Sequence, residues 1–368
     1  MIPTIDVPTL RQWLALGQPV TVLDVRQAAD HADWAIPGSV HVDAYHALKA
    51  HDPHALAGFD LPGDVPVVTV CGAGKVSLIA AEQLIARGHT VYSLAGGMQA
   101  WSLAWNTARL PRLADDTQVI QIRRTGKGCL SYMIGSAGAA AVLDASLDPA
   151  VYQELAQMHG WTITTVLDTH VHADHLSRAR VLAEETGATL HLPATDRLAY
   201  LFTPIHDGTT ITVGNTVLRA LHTPGHTWES TSYLLNDGLL FTGDTLFLAA
   251  VGRPDLEAQT AEAQERAAAL YQSLQRLLTL PDTTQVLPGH TSTPAAFDGQ
   301  PIMATLATVR ASIARLQLPE AAFIDTLLAA LPPTPPNHQQ IVTMNQEGDP
   351  IPADVTPLEA GANRCAIA

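Results

Sequence analysis

Along the first hundred positions, apolar runs alternate with short polar breaks. "VTVLDV" and "VPVVTVC" are rich in β-branched residues and short enough for buried strands. "KVSLIAAEQLIARGH" (75–89) places apolar residues at 78, 79, 81, 84 and 85, which predicts a helix. "TVYSLAGGM" predicts another strand, closed by glycines. Strands and helices in alternation imply a small parallel α/β sheet over 1–106. In "NTARLPRLADDT" polar residues and a proline break the pattern, so 107–117 is expected to be a linker.

From Gln118 the texture becomes β-rich. "QVIQIRR", "CLSYMIG" and "AAAVLDA" predict successive strands separated by glycine turns. A helix over 149–159, the strand "TITTVLDTH", a helix over 178–187 and the strand "ATLHLP" follow. Next come two strand pairs, "TTITVGNTVLRALHT" and "SYLLNDGLLFTGD", the second turning at Asp237-Gly238. An alanine-rich helix (258–280) precedes the strand "TQVLPGH". Two β-rich halves with covering helices predict an αββα sandwich over 118–368. Helical segments and a stiff proline stretch, "LPPTPPN" (331–337), fill the last third.

Composition narrows the class. With 47% hydrophobic and 15% charged residues, the 368-residue chain has ample core for globular domains. A formal charge of −15 argues against nucleic acid or an anionic membrane as partner. No apolar run is long enough to span a bilayer, and the N-terminus lacks a basic start followed by an apolar stretch. Three scattered cysteines, Cys71, Cys129 and Cys365, do not form a disulfide framework. A cytoplasmic homo-oligomer with a working thiol is the expectation.

The chemistry concentrates in "THVHADH". His170, His172, Asp174 and His175 follow a strand, on the kind of loop that carries catalytic ligands. Side chains two apart in extended chain point the same way, so His170 and His172 could share one centre. Asp174 and His175 could serve another. His226 in "TPGHT", Asp244 in "FTGDT" and His290 in "LPGH" each end an apolar strand beside a glycine that permits close backbone approach. This is metal-ligand chemistry. His222 is expected to be structural, and Cys129 a buried strand residue.

The ordered set His170, His172, Asp174, His175, His226, Asp244 and His290 resembles the metallo-β-lactamase superfamily over about 118–368. The resemblance implies an αββα sandwich with the site between its sheets. All seven ligand positions are present, so two metals are permitted. Two branches compete. One resembles glyoxalase II, a thioester hydrolase with two zinc ions that activate water. The other resembles the persulfide dioxygenases, in which the single Fe(II) ligands correspond to His170, His226 and Asp244. Two histidines and a carboxylate with open positions suit iron and oxygen. His172, Asp174, His175 and His290 would then be supporting residues or a vacant second-metal site.

The dioxygenase is favoured by "VGRPD" (251–255), which resembles a Gly-Arg-Thr-Asp segment of that family. Arg253 would grip the thiol substrate. The tail "GANRCAI" resembles that family's ending, with Cys365 matching its terminal cysteine, near the substrate. Proline 254 stands where threonine is usual, and "TSTPAAF" after His290 lacks the usual Asp-Tyr.

In the first domain, Cys71 ends a strand and opens a loop, Gly72, Ala73, Gly74, Lys75 and Val76, before Ser77 and a helix. Backbone N–H groups and the helix dipole favour a thiolate there. With "LDVR" and "LAGGMQAW" around it, this loop resembles a rhodanese domain over about 1–105, which carries sulfane sulfur as a persulfide. The loop lacks the arginine that closes the longer loop of related phosphatases. Lys75 is expected to attract thiosulfate or sulfite, and Asp24 and Arg26 to make structural contacts. The expected whole is a sulfurtransferase fused to an iron enzyme that oxidises glutathione persulfide, or a similar thiol persulfide, with O2 to sulfite. Thioester hydrolysis by one or two zinc ions, and a non-catalytic persulfide relay or sensing module, are the alternatives.

Overall fold

The computed structural model describes residues 2–113, 116–236, 238–256 and 258–367. The first unit contains strands β1 (Thr4–Ile5), β2 (Thr21–Asp24), β3 (Val40–His41), β4 (Val67–Val70) and β5 (Val91–Leu94). They form a parallel sheet in the order β1-β5-β4-β2-β3. β4, the central strand, is buried along its whole length, as its run of β-branched residues requires. The expected helix follows it over Val76–Ala86 and packs Ala80, Ala81 and Leu84 against the sheet.

The second unit opens with β6 (Asn106–Arg109), β7 (Gln118–Arg124), β8 (Cys129–Ser136), β9 (Ala139–Leu143), β10 (Thr162–Leu167), β11 (Thr189–Pro193) and β12 (Thr203–Ile205). These make one seven-stranded sheet, β12-β11-β10-β9-β8-β7-β6. Then come β13 (Thr210–Val213), β14 (Thr216–His222), β15 (Thr231–Leu235), β16 (Leu239–Gly243), β17 (Val251–Gly252), β18 (Gln285–Pro288), β19 (Ala304–Thr305) and β20 (Ala366–Ile367). β13 to β16 join β18 and β19 in a six-stranded sheet, while β17 pairs with β20 in a separate two-stranded one.

The facing sides of the two large sheets share one core that includes Tyr132, Leu143, Leu167, Tyr233 and Phe241. Tyr132 meets Phe241 edge-on, with ring centroids 4.8 Å apart. Truncating such a buried aromatic to alanine costs about 3–5 kcal/mol. Helices Pro149–Met158 and Ala179–Thr186 cover one outer face, and Thr260–Leu277 and Glu320–Ala329 the other. The layers are those of the expected αββα sandwich.

One expectation needs revision. The segment 107–117 is not all linker: β6 occupies its start and pairs antiparallel with β7. Asn106 and Arg109 disguise an edge strand, because Asn106 satisfies its amide on Ala295 and Ala296 carbonyls rather than in solvent. Ala114 and Asp115 of that segment, and Asp237 of the expected turn, lie outside the described residues. The two units also touch through specific bonds. Trp34 Nε1 donates to Thr125 O at 3.0 Å, and Arg124 Nε to Ser102 O at 2.8 Å.

Candidate active sites

β14, β16 and β18 run in one direction and end at the same edge of the sandwich. Their ends deliver His226, Asp244 and His290, and the end of β10 delivers the loop from His170 to His175. Thr231 N donates to Thr169 O at 2.9 Å and ties the two sheets together at this edge. Glycine is required twice. A Cβ on Gly252 would overlap the Asp244 carbonyl, and one on Gly289 would lie 2.7 Å from Asp244 Oδ1. All seven candidate ligands are buried.

These seven do not form one uniform site. Ligand atoms of His170, His226 and Asp244 converge within 4.8 Å of one another. Asp244 Oδ2 lies 3.9 Å from His170 Nε2 and 3.6 Å from His226 Nε2, too far to hydrogen-bond. His170 Nε2 and Asp244 Oδ2 are buried without any partner. The other ring nitrogens are committed. His226 Nδ1 donates to Arg253 O at 2.8 Å. His170 Nδ1 donates to Thr169 Oγ1 at 2.8 Å, and that hydroxyl donates to Asp144. Such outer bonds fix the tautomer and leave Nε2 bare, as a metal ligand must be. Burial first, and then the neighbouring histidines, lower the His170 pKa well below its usual value; burial also lowers His226. Two neutral imidazoles and a carboxylate, converging on one point, fit a metal.

His172 turns elsewhere. Its Nε2 lies 3.3 Å from Asp144 Oδ1 and 3.8 Å from Asp168 Oδ1. Burial works against its charge, but the proximity of these two carboxylates outweighs burial and raises its pKa well above the usual value, although neither ring nitrogen makes a well-formed hydrogen bond. Asp144 holds a left-handed backbone, φ 55°, just after β9. Its carboxylate also accepts Thr169 N at 2.7 Å. Strain of this sort persists only where surroundings impose it.

The remaining candidates form a second cluster. Asp174 accepts from His290 Nε2 at 3.0 Å, from Asn363 Nδ2 at 3.0 Å and from the Cys129 thiol at 3.3 Å. His175 Nδ1 lies 3.0 Å from Asp174 Oδ1. His290 Nδ1 donates to Asp244 Oδ1 at 2.5 Å, so the two oxygens of Asp244 face different clusters. Burial opposes a charge on His290, but Asp244 and Asp174 outweigh it and raise its pKa well above the usual value. Burial and Asp174 raise the Cys129 thiol; His175 and His290 prevail and bring it down to about 7.

Several sequence expectations change here. Arg253 is not a substrate grip. Its guanidinium is fully buried and binds Asp255 at 2.7 and 2.8 Å and the carbonyls of Pro332, Pro333 and Arg364. All its donors are used, and what it offers the site is its carbonyl. Cys129 is the buried strand residue expected, but its side chain reaches the cluster, a contact no local spacing signals. The C-terminal segment contributes more than Cys365. Asn345 Nδ2 donates to the carbonyls of His172 and His175, and Glu359 Oε1 accepts Leu176 N at 2.9 Å. Cys365 lies within 4.8 Å of Asp244 and His290, and burial first, then the carboxylates of Asp244 and Asp174, push its thiol up. Above it, a cavity of about 230 Å³ is lined by Phe247, Ala250, His290, Ser292, Ile302 and Asn363. His222 bonds Trp228 O at 2.8 Å on the surface, the structural role expected.

Cys71 sits at the C-terminal end of β4, buried, with its thiol 3.3 Å from Ser77 Oγ in the first turn of the following helix. Met98 N donates to Cys71 O, and Gln99 N to Gly72 O, both at 2.9 Å, so the next helix braces the loop. Gly72, Ala73 and Lys75 are exposed at its rim, Gly74 is half-buried, and Val76 and Ser77 are buried beneath. Arg26 pairs with Asp24 at 2.6 Å and binds Asp30 O and Trp34 O, the structural contacts expected.

Comparison with known proteins follows the same division. Residues 124–290 match the metallo-beta-lactamase superfamily, and residues 6–104 match the rhodanese-like domain. The chain is 34% identical to a hydroxyacylglutathione hydrolase of Rhodospirillum rubrum, covering 54% of this chain and 73% of that one. It spans only 56% to 59% of the length of several other curated relatives of that name. A metallo-beta-lactamase structure from Staphylococcus aureus is 31% identical, with TM-score 0.57, over 63% of this chain and 73% of that one. The structure of ETHE1 from Myxococcus xanthus is 32% identical, with TM-score 0.54, over 61% and 96%. No helix among the described residues is long and apolar enough to cross a membrane.

Proposed function

Because the chain belongs to the metallo-β-lactamase superfamily and carries a rhodanese-like domain ahead of it, we propose that it oxidises a thiol persulfide at one iron centre. The substrate is a low-molecular-weight persulfide such as glutathione persulfide. With O2 and one water it gives the free thiol, sulfite and two protons. The observation that carries this reading is the separation of His170, His226 and Asp244 from the other four candidates. A ferrous ion held by those three would supply the one-electron chemistry that oxygen requires.

The chain's own groups do the rest. Thr169 and the Arg253 carbonyl hold the two imidazoles in the ligating tautomer. His290 Nδ1 donates a hydrogen bond to Asp244 Oδ1 and leaves Oδ2 free to ligate. The 230 Å³ cavity lined by Phe247, Ala250 and His290 offers room for a small thiol beside the site. In the first domain, Cys71 accepts sulfane sulfur from thiosulfate, releasing sulfite, or hands it to a thiol. Fusion raises the local concentration of a product that both sites handle.

The curated relatives support a second reading more strongly than the first: thioester hydrolysis of an acylglutathione by two zinc ions. It needs His172, Asp174, His175 and His290 as ligands. Metal analysis after iron-replete anaerobic purification, with oxygen uptake on glutathione persulfide, separates them. One iron per chain with persulfide-dependent uptake supports the first reading. Two zinc ions with thioester cleavage and no uptake overturns it.

A further inference from the structure

We propose that the first domain completes the substrate cavity of the second, and that Trp34 is the positioning residue through which it does so. The inference rests on the reading of the cavity beside the metal ligands as the place where substrate binds, whichever reaction runs there.

Trp34 belongs to the first domain, where it follows the helix Ala28–Asp33 and is buried. Its backbone is held from within that domain. Arg26, paired with Asp24 at the end of β2, donates Nη2 to Trp34 O at 2.7 Å. Its indole points out of the domain and into the turn between β7 and β8. Nε1 donates to Thr125 O at 3.0 Å. The far edge of the ring, Cη2, stands 3.1 Å from where a Cβ on Gly128 would lie, and Thr291 O stands 2.6 Å from the same point. The first domain grips this turn a second time. Gly126 N donates to Ala104 O at 3.1 Å, and a Cβ on Gly126 would overlap Trp101 O. A turn with two glycines is soft by itself, and packing from both sides removes that freedom.

The other side of the turn carries a wall of the cavity. Gly128 O accepts Thr291 N at 2.9 Å, and Lys127 O accepts Asn363 N at 3.2 Å. Thr291 and Asn363 both line the 230 Å³ cavity. Asn363 Nδ2 also donates to Asp174 at 3.0 Å. Arg364, the next residue, reaches back to Asp33 of the first domain at 3.5 Å. Cys129, which ends the turn, forms a backbone bridge with His290. The cavity wall thus hangs from a turn whose opposite side is fixed by the other domain. An indole suits this task, because it offers a large apolar face and one N–H for a fixed acceptor. A loosened wall weakens the binding of substrate and transition state alike, so its loss is read in KM rather than in kcat.

The test uses the metal-loaded full chain. Trp34→Ala should keep its metal and a parent-like kcat, and should raise the KM for persulfide in oxygen uptake about tenfold, as expected for a residue that supports a site from outside it. Trp34→Phe keeps a ring against Gly128 and loses the bond to Thr125 O, so its KM should fall between the two. Thiosulfate-to-thiol transfer by Cys71 should keep its parent KM in both variants, which shows that the first domain is folded. Backbone amide exchange across 125–130 and 361–365 should quicken in metal-free Trp34→Ala, a readout that needs no turnover. If the chain cleaves a thioester and takes up no oxygen, the reading of the reaction fails, while the same KM shift on the thioester sustains the inference. A parent-like KM in Trp34→Ala on the substrate that is turned over, or unchanged exchange across both segments, overturns it.

Discussion

The open trio and the neighbouring cluster are built from the same residue types, share Asp244, and lie against one strand edge, yet they differ in what their polar atoms touch. In the trio, each histidine spends its inner nitrogen on a hydroxyl or carbonyl, and its outer nitrogen faces only the other ligands. In the cluster, imidazoles face carboxylates directly, at 3.0 Å and 2.5 Å. Two imidazoles and a carboxylate that cannot satisfy one another are left to a cation, whereas the paired groups balance part of one another's charge; both sets lie close enough to hold an ion.

The comparison breaks most readily at His226. His226→Ala should remove iron and reduce persulfide-dependent oxygen uptake to background, checked by metal analysis and an oxygen electrode. If iron remains, the trio is not the centre.

The next largest effect concerns Glu359, which anchors the C-terminal segment beneath both clusters. Its carboxylate pairs with Arg124 at 2.7 Å and Arg178 at 2.6 Å. Glu359→Ala leaves two buried guanidinium groups short of a partner and should cost about 3–5 kcal/mol in denaturant unfolding. The same group gives a pH dependence. Burial alone would raise it, but Arg124 and Arg178 outweigh burial and bring it from 4.5 down to about 2. A folded value below the unfolded one means the stabilisation is complete above the unfolded value and is lost as pH falls toward the folded one. Unfolding midpoints of the parent should therefore fall between about pH 4.5 and 2 more steeply than those of Glu359→Gln.

A smaller effect is expected at His172. It supports Asp144, which supports Thr169 and so His170. His172→Gln should keep its iron and lose about tenfold in uptake, the low end for a supporting residue. Under two-zinc hydrolysis the same change should remove a metal. The smallest effect is at the other domain: Cys71→Ala should abolish thiosulfate-to-thiol transfer and leave oxygen uptake with supplied persulfide unchanged. Loss of both would mean the two sites are not independent.

Much of this was legible in the sequence, because strand periodicity and the spacing of His170 to His175, His226, Asp244 and His290 are local patterns. The sandwich and the ordered ligands followed from them. What escaped was non-local. Cys129 reaches Asp174 only through the folded sheet, and Asn345, Glu359 and Asn363 reach the site loop from more than a hundred residues away. Arg253 misled because its side chain drew attention, whereas its carbonyl carries the contact to His226. β6 escaped because its polar residues are satisfied by carbonyls of a distant loop, which hydropathy cannot register.

The central claim is one open two-histidine, one-carboxylate centre. Its most direct test loads one preparation of the metal-free chain with ferrous iron anaerobically and another with zinc. Each is then offered glutathione persulfide with oxygen and, separately, an acylglutathione thioester. The account predicts one iron per chain at the trio, oxygen uptake with sulfite formed only by the iron form, and no thioester cleavage by either. Rapid thioester cleavage by the zinc form, lost in His172→Gln, with no uptake by the iron form, would contradict it.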